Sequence, residues 1–154
     1  MLKEQEMTLS LAESCTGGAI AARIANVSGG SEVFLQGMVT YSNKAKRRCL
    51  DVSKSTLKKH GAVSEECAAE MAKGGRKASK TDICLSVTGI AGPGGGTKEK
   101  PVGTVFMGCS YKGCTQVREF HFQGNRARVR EQTVAHGLAF LRDCMMERAD
   151  KQDK

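Results

Sequence analysis

Residues 82–96 read DICLSVTGIAGPGGG. The run from Ile83 to Val87 is almost continuously apolar, and five of the eight residues from Gly89 to Gly96 are glycine. A short apolar run bounded by turn residues is the pattern of a strand covered on both faces, as in the centre of an α/β sheet. The glycine loop at its end marks a place where backbone turns tightly or comes close to a ligand.

On the N-terminal side, TLSLAES (8–14) reads as a short strand ending in a polar turn, and TGGAIAARIANV (16–27) spaces Ile20, Ile24 and Val27 as one helical face. FLQGMVTYS (34–42) alternates like a strand. The basic stretch 43–60 holds two short helices broken near Asp51–Ser53, and Ser64-Glu65-Glu66 opens a helix that runs to Ser79 with Cys67, Met71 and Gly75 on one face. On the C-terminal side, VGTVFMGCSY (102–111) and CTQVREFHF (114–122) flank Lys112-Gly113, a two-residue hairpin turn. A last helix begins near Asn125 with Val134, Leu138, Leu141 and Met145 in one stripe, and the tail ERADKQDK (147–154) is charged and expected to fray. This order predicts an α/β fold in one domain, residues 1–154. It has a mixed sheet with helices on both faces, parallel right-handed crossovers first and an antiparallel hairpin last.

Composition narrows the function. The chain has 154 residues, 40% hydrophobic and 26% charged, with a net charge of +8. It has no apolar run of about 20 residues and no secretory signal pattern, so a soluble, cytoplasmic protein with no membrane partner is expected. Seven cysteines form no CxxC pair, and the three histidines (His60, His121, His136) show no metal spacing. Reduced, structural cysteines and no metal or cofactor are the expectation. The charge is diffuse, aromatics are 5%, and the basic segment 44–59 reads as a solvated helical face, so no specific nucleic-acid partner is expected.

Chemistry is expected at the carboxyl ends of strands, where α/β sheets bind ligands. Three such ends carry unusual residues: Glu13-Ser14-Cys15-Thr16-Gly17-Gly18, Thr40-Tyr41-Ser42-Asn43 and Thr88-Gly89-Ile90-Ala91-Gly92-Pro93. Ser14 stands before a helix N-terminus, whose free N–H groups suit a nucleophile and an oxyanion. The local pattern equally allows Ser14 or Thr16 to be a simple cap, and Cys15 is a rival nucleophile without a nearby His. Lys46 is a candidate general base if burial or the cations Arg47 and Arg48 depress its pKa, with Tyr41 holding it or relaying a proton. On the same pattern, Lys46 is also compatible with an exposed cation. GIAGPGGG fits neither the phosphate loop nor the dinucleotide fingerprint, and is either an anion cradle or a flexible turn. Arg126, Arg128 and Arg130 open the last helix against its dipole, which an anion bound there would explain, exposed surface arginine being the other account.

Five ordered blocks, LAESCTGG (11–18), GMVTYSNKAK (37–46), HGAVSEECAAEMAKG (60–74), SVTGIAGPGGGTKEKPVGTVF (86–106) and FQGNRARVREQ (122–132), together resemble the CinA C-terminal domain family over about residues 8–142. That family includes stand-alone nicotinamide-nucleotide amidohydrolases. The resemblance implies a three-layer α/β/α sandwich with a mixed, mostly parallel sheet. It implies an enzyme that hydrolyses the carboxamide of nicotinamide mononucleotide to nicotinate mononucleotide and ammonia, in NAD recycling. It makes Ser14 the nucleophile, with Tyr41 and Lys46 in the base system. Thr16, Gly17, Gly18 and Ser31 become candidate substrate contacts, and Thr88, Gly89, Gly92, Arg126 and Arg130 candidates for ribose and phosphate. A small-molecule nucleotide is the implied partner, and a homo-oligomer, a dimer, is expected. The sequence departs from the family at Gly29-Gly30-Ser31, where Gly-Ser-Ser is usual, at Gly124-Asn125-Arg126, where Gly-Asp-Arg is common, and in lacking a full helix before the first strand. Two rival functions are a non-catalytic interaction module tied to competence or DNA damage, and an amidohydrolase for another amide.

Overall fold

The computed structural model describes residues 1–152, so the last two positions of the charged tail lie outside the described residues. The elements in chain order are β1 (Leu9–Glu13), α1 (Ala19–Ala25), a 3-10 turn (Gly30–Glu32), β2 (Phe34–Val39), α2 (Asn43–Leu50), α3 (Lys54–His60), α4 (Glu65–Ser79), β3 (Ile83–Gly89), β4 (Thr104–Tyr111), β5 (Cys114–His121) and α5 (Arg126–Gln152). Serine hydroxyls start three of the helices: Ser42, Ser53 and Ser64 accept from the amides of Ala45, Thr56 and Cys67. The first part of the charged tail continues α5, which runs through Gln152. Glu147 ties that end to β5, accepting from the side chain of Gln116 at 2.8 Å and pairing with Arg118.

The sheet order is β2-β1-β3-β4-β5. β1 pairs in parallel with β2 and β3, and β4 is antiparallel to both β3 and β5, so four strands share one direction and β4 alone is reversed. This is the three-layer α/β/α sandwich with a mixed, mostly parallel sheet. Among the described residues no helix is long and apolar enough to cross a membrane.

Period-2 alternation sorts the strand side chains into two unequal cores. Leu9 and Leu11 of β1, Ile83, Leu85 and Val87 of β3 and Val105 and Met107 of β4 join Ile20 of α1 and Val129, Phe140 and Leu141 of α5 in the larger one. On the opposite face Ala12 and Cys84 meet Leu50, Cys67 and Met71 from α2 and α4. That second face is lined with small residues, so helix and sheet approach closely. Gly74 shows how tightly: a Cβ added there would stand 1.7 Å from the carbonyl oxygen of Leu50, the last residue of α2. The helix that carries Lys46 is thereby seated against α4.

The chain enters β1, crosses by α1 to the edge strand β2, then returns over α2, α3 and α4 to β3 on the other side of β1. The carboxyl ends of β1, β2 and β3 therefore meet at one point of the sheet margin, where connections leave in opposite directions.

Candidate active site

Alternation continues one residue past β1, because the amide of Ser14 still donates to Val87 of β3 at 3.1 Å. Glu13 therefore points to the α1 side of the sheet and Ser14 to the α2 side. On that side Lys46, one turn before Leu50 on the buried stripe of α2, reaches inward with 1% of its surface exposed. Its Nζ lies 2.8 Å from Ser14 Oγ and 2.8 Å from the carbonyl oxygen of Thr40. Thr40 is itself anchored, its amide donating to Glu13 at 2.8 Å. No carboxylate hydrogen-bonds or ion-pairs with Lys46 among the described residues. Burial accordingly lowers the Lys46 pKa from its ordinary 10.5, opposed only weakly by the Cys67 and Cys15 thiols. Arg47 and Arg48 are exposed on the other side of α2, so desolvation rather than a cationic neighbourhood produces the shift.

The turn after Ser14 corrects one expectation. The amides at the start of α1 are not free for an anion, because Glu13, 1% exposed, already fills that position. One carboxylate oxygen accepts from the Thr16 hydroxyl at 2.5 Å and from the amides of Gly18 and Ile20, each at 3.1 Å; the other accepts from Ala21 at 2.8 Å. The helix N-terminus and the buried carboxylate satisfy each other. The turn can wind this tightly because Gly17 and Gly18 adopt φ of 60° and 97°.

A cleft of about 200 Å³ opens over the pair. Ser14 and Cys15 form its floor, with Tyr41, Asn43 and Lys46 on one wall, Thr88, Gly89 and Ala91 on another, and Ala62, Val63 and Arg126 around the mouth. Larger grooves run along α1, beside residues 1–4 and beside α5, but neither contains a buried titratable side chain. Thr88 braces the wall by donating its hydroxyl to the carbonyl of Ala62 at 2.8 Å. Burial pushes the Cys15 thiol up to about 11, which keeps it protonated at neutral pH and weakens it as a nucleophile. Among the described residues no three His, Cys, Asp or Glu side chains converge in a way that would hold a metal ion.

Other sequence candidates are placed differently from expectation. Tyr41 is 58% exposed, and its hydroxyl accepts from Arg126 Nη2 at 2.8 Å rather than touching Lys46; the Thr40 carbonyl makes that contact instead. Arg126 also donates to the carbonyl of Gly92 at 2.9 Å, so Tyr41, Arg126 and the glycine loop form a polar bridge at the mouth. Arg130 does not line the cleft: its Nε and Nη2 donate to the carbonyls of Cys15 at 3.1 Å and Thr16 at 2.7 Å. Ser31 sits exposed in the 3-10 turn before β2, at the opposite end of the strands from Ser14. Glu13, Thr40 and Asn43 stand in the strand-end stretches that the sequence marks, without a role of their own, whereas Ala62 and Val63 are marked only as part of the block 60–74.

The model of the CinA C-terminal domain matches residues 1–145. A CinA-like protein of Citrifermentans bemidjiense is 54% identical over 148 residues, covering 96% of this chain and 36% of the relative. A second, from Kosmotoga olearia, is 49% identical over 146 residues, covering 95% and 35%. The chain thus spans about a third of the length of these relatives. Among solved structures, the competence/damage inducible protein CihA of Agrobacterium tumefaciens superposes with a TM-score of 0.89 at 41% identity, covering 91% of this chain and 86% of that one. The competence damage-inducible protein A of Klebsiella pneumoniae gives 0.91 at 36% identity, covering 94% and 90%. With nearly the whole length matched by the family model and by these relatives, the chain belongs to the CinA C-terminal domain family.

Proposed function

We propose that this chain is a serine/lysine amidohydrolase that hydrolyses the carboxamide of nicotinamide mononucleotide to nicotinate mononucleotide and ammonia. The observation that carries the chemistry is the 2.8 Å contact between Ser14 Oγ and the buried, carboxylate-free Lys46 amine. A serine hydroxyl is a weak nucleophile until a neighbouring base takes its proton, and a lysine whose proton affinity is lowered by burial can serve as such a base. The choice of substrate rests on the family resemblance. The cleft agrees with it in scale, since about 200 Å³ takes an aromatic carboxamide while leaving the rest of a nucleotide at the mouth beside Arg126.

In the proposed cycle the carboxamide carbon comes to near-attack distance of Ser14 Oγ. Neutral Lys46 takes the hydroxyl proton while the Thr40 carbonyl holds its amine in line. The serine oxygen bonds to the carbonyl carbon, and the backbone N–H of Cys15, on the cleft floor beside Ser14, receives the oxyanion. Lys46, now ammonium, returns the proton to the departing nitrogen as the C–N bond breaks, releasing ammonia and leaving an acyl ester on Ser14. Water enters, gives a proton to Lys46 and its hydroxide to the ester. The carboxylic acid product leaves as Ser14 regains its proton. Tyr41 contributes at the mouth through Arg126 rather than to the base.

The test is to incubate the purified protein with nicotinamide mononucleotide and measure ammonia and nicotinate mononucleotide together. Stoichiometric formation of both, lost in Ser14→Ala while the folded spectrum is retained, is the expected result. Product formation no greater than in the Ser14→Ala control would overturn the proposal.

A further inference from the structure

We infer that Asn43 binds the carboxamide nitrogen of the substrate and holds it beside Lys46, an inference that rests on the amidohydrolase reading above. A reacting carboxamide has two polar ends. Its oxygen takes negative charge as Ser14 bonds to the carbon, and that end belongs at the Cys15 N–H on the cleft floor. Its nitrogen receives a proton from Lys46 as the C–N bond breaks, so that end belongs on the wall that Lys46 shares with Tyr41 and Asn43. Until then the nitrogen carries two N–H donors, which call for an acceptor on the same wall.

The neighbouring acceptors are already engaged. Ser14 and Lys46 hold each other, Thr88 is joined to the Ala62 carbonyl, and Tyr41 is joined to Arg126. The Thr40 carbonyl accepts from Lys46 Nζ, and the Ser42 hydroxyl accepts from the Ala45 amide. Of the hydroxyl, amide and charged side chains that line the cleft, Asn43 alone makes no hydrogen bond among the described residues. It is exposed on the wall, so an incoming carboxamide displaces water from it and breaks no contact within the protein.

Helix geometry brings this side chain to the amine. Asn43 is the first residue of α2 and Lys46 follows three residues later, a spacing that sets both on one face with Cβ atoms about 5–6 Å apart. Long side chains on a helix lean towards its N-terminus, and the contact of Lys46 Nζ with the Thr40 carbonyl shows that this one does. The amine therefore lies level with the turn that Asn43 opens. Local helix energetics do not ask for asparagine there: Ser42 already caps α2, and an acidic residue would suit the dipole better. An acid would also supply the carboxylate that Lys46 lacks and hold its amine as ammonium. Asparagine offers the same kind of oxygen acceptor without the charge.

The test compares two substrates of the full chain, nicotinamide mononucleotide and the methyl ester of nicotinate mononucleotide, with nicotinate mononucleotide measured as the product of both. The ester has no N–H to give Asn43. Asn43→Ala, which puts a good helix former at an exposed helical position, should lower kcat/KM for the amide by about tenfold, the worth of one hydrogen bond. The same variant should change kcat/KM for the ester by less than about twofold. Asn43→Asp keeps the acceptor but adds a charge beside Lys46, so the ascending limb of kcat/KM against pH for the amide should move about one unit to the alkaline side. That profile needs no ester and decides the matter if the ester is not turned over. Equal falls for amide and ester in Asn43→Ala, or an unmoved limb in Asn43→Asp, overturn the inference while leaving the amidohydrolase intact. Absence of Ser14-dependent turnover in the unaltered protein overturns both.

Discussion

Replacing Glu13 by glutamine removes one charge and almost no volume from beneath Ser14. The carboxylate accepts four donors, three on one oxygen (Thr16 Oγ1 and the amides of Gly18 and Ile20) and one, the Ala21 amide, on the other. In Glu13→Gln the amide oxygen keeps the three-donor position and the NH2 group faces the Ala21 N–H. That N–H loses its acceptor in a part-buried setting, at a cost of about 1–3 kcal/mol. The three remaining bonds change from charge-assisted to neutral, about 1 kcal/mol weaker each. The neutral side chain escapes the desolvation cost of a buried carboxylate, which offsets several kcal/mol of this. The net expectation is a loss of about 2 kcal/mol, or about 4–8 °C in Tm for a chain of this length. Differential scanning calorimetry measures the stability, and ammonia release with nicotinamide mononucleotide measures kcat. Because the turn that holds Ser14 and Cys15 at the cleft floor loosens, kcat should fall more than KM rises. An unchanged Tm together with unchanged kcat would refute the argument that this carboxylate holds the turn after Ser14.

Lys46→Met should abolish turnover and leave a folded protein whose stability relative to the unaltered chain depends on pH. The folded-state pKa of Lys46 is depressed, so the unfolded chain binds the extra proton and the lysine destabilises the fold most at low pH, the penalty fading as pH rises towards the unfolded value of about 10.5. Urea melts should therefore show the methionine variant gaining most at acid pH, and a gain that grew with pH would contradict the assignment. Gly74→Ala places a methyl 1.7 Å from the Leu50 carbonyl, so α4 must withdraw from the end of α2. We expect a loss of about 3 kcal/mol, at the upper end of ordinary overpacking, seen in denaturant midpoints, with a fall in kcat as Lys46 shifts.

The architecture is legible where local pattern and burial coincide. The buried β3 run, the Lys112-Gly113 turn and the split of the basic stretch into α2 and α3 follow from hydrophobic period and turn chemistry, and each appears in the structure. The site is legible only in part. Ser14 and Lys46 are 32 positions apart, and nothing local says that their side chains meet. Partners that are backbone atoms leave no residue signature: Thr40 contributes a carbonyl, so the neighbouring Tyr41 side chain attracts the attention instead. Arg130 shows a related ambiguity, since a cation against a helix dipole signals a missing acceptor without saying whether it is a ligand anion or a pair of carbonyls. Glu13 is hidden because a glutamate between alanine and serine reads as a solvated residue. Only its place on the α1 face of β1, opposite to Ser14, makes its role evident.

That opposition separates a catalytic reading from one of interaction alone. On the α1 face the charge at the end of β1 is fully answered: Glu13 meets four donors, and the fold gains from the match. On the α2 face the charge is not answered. Lys46 is buried to 1% exposure with a serine hydroxyl and a single carbonyl for company, and burial lowers its proton affinity. A fold selected for packing would place methionine or leucine there, continuing the stripe that Leu50 begins, and a docking surface would place the amine where a partner could reach it. An amine kept inside, short of hydrogen bonds and touching the one hydroxyl at the floor of a cleft, is destabilising for the fold and useful for removing a proton from that hydroxyl.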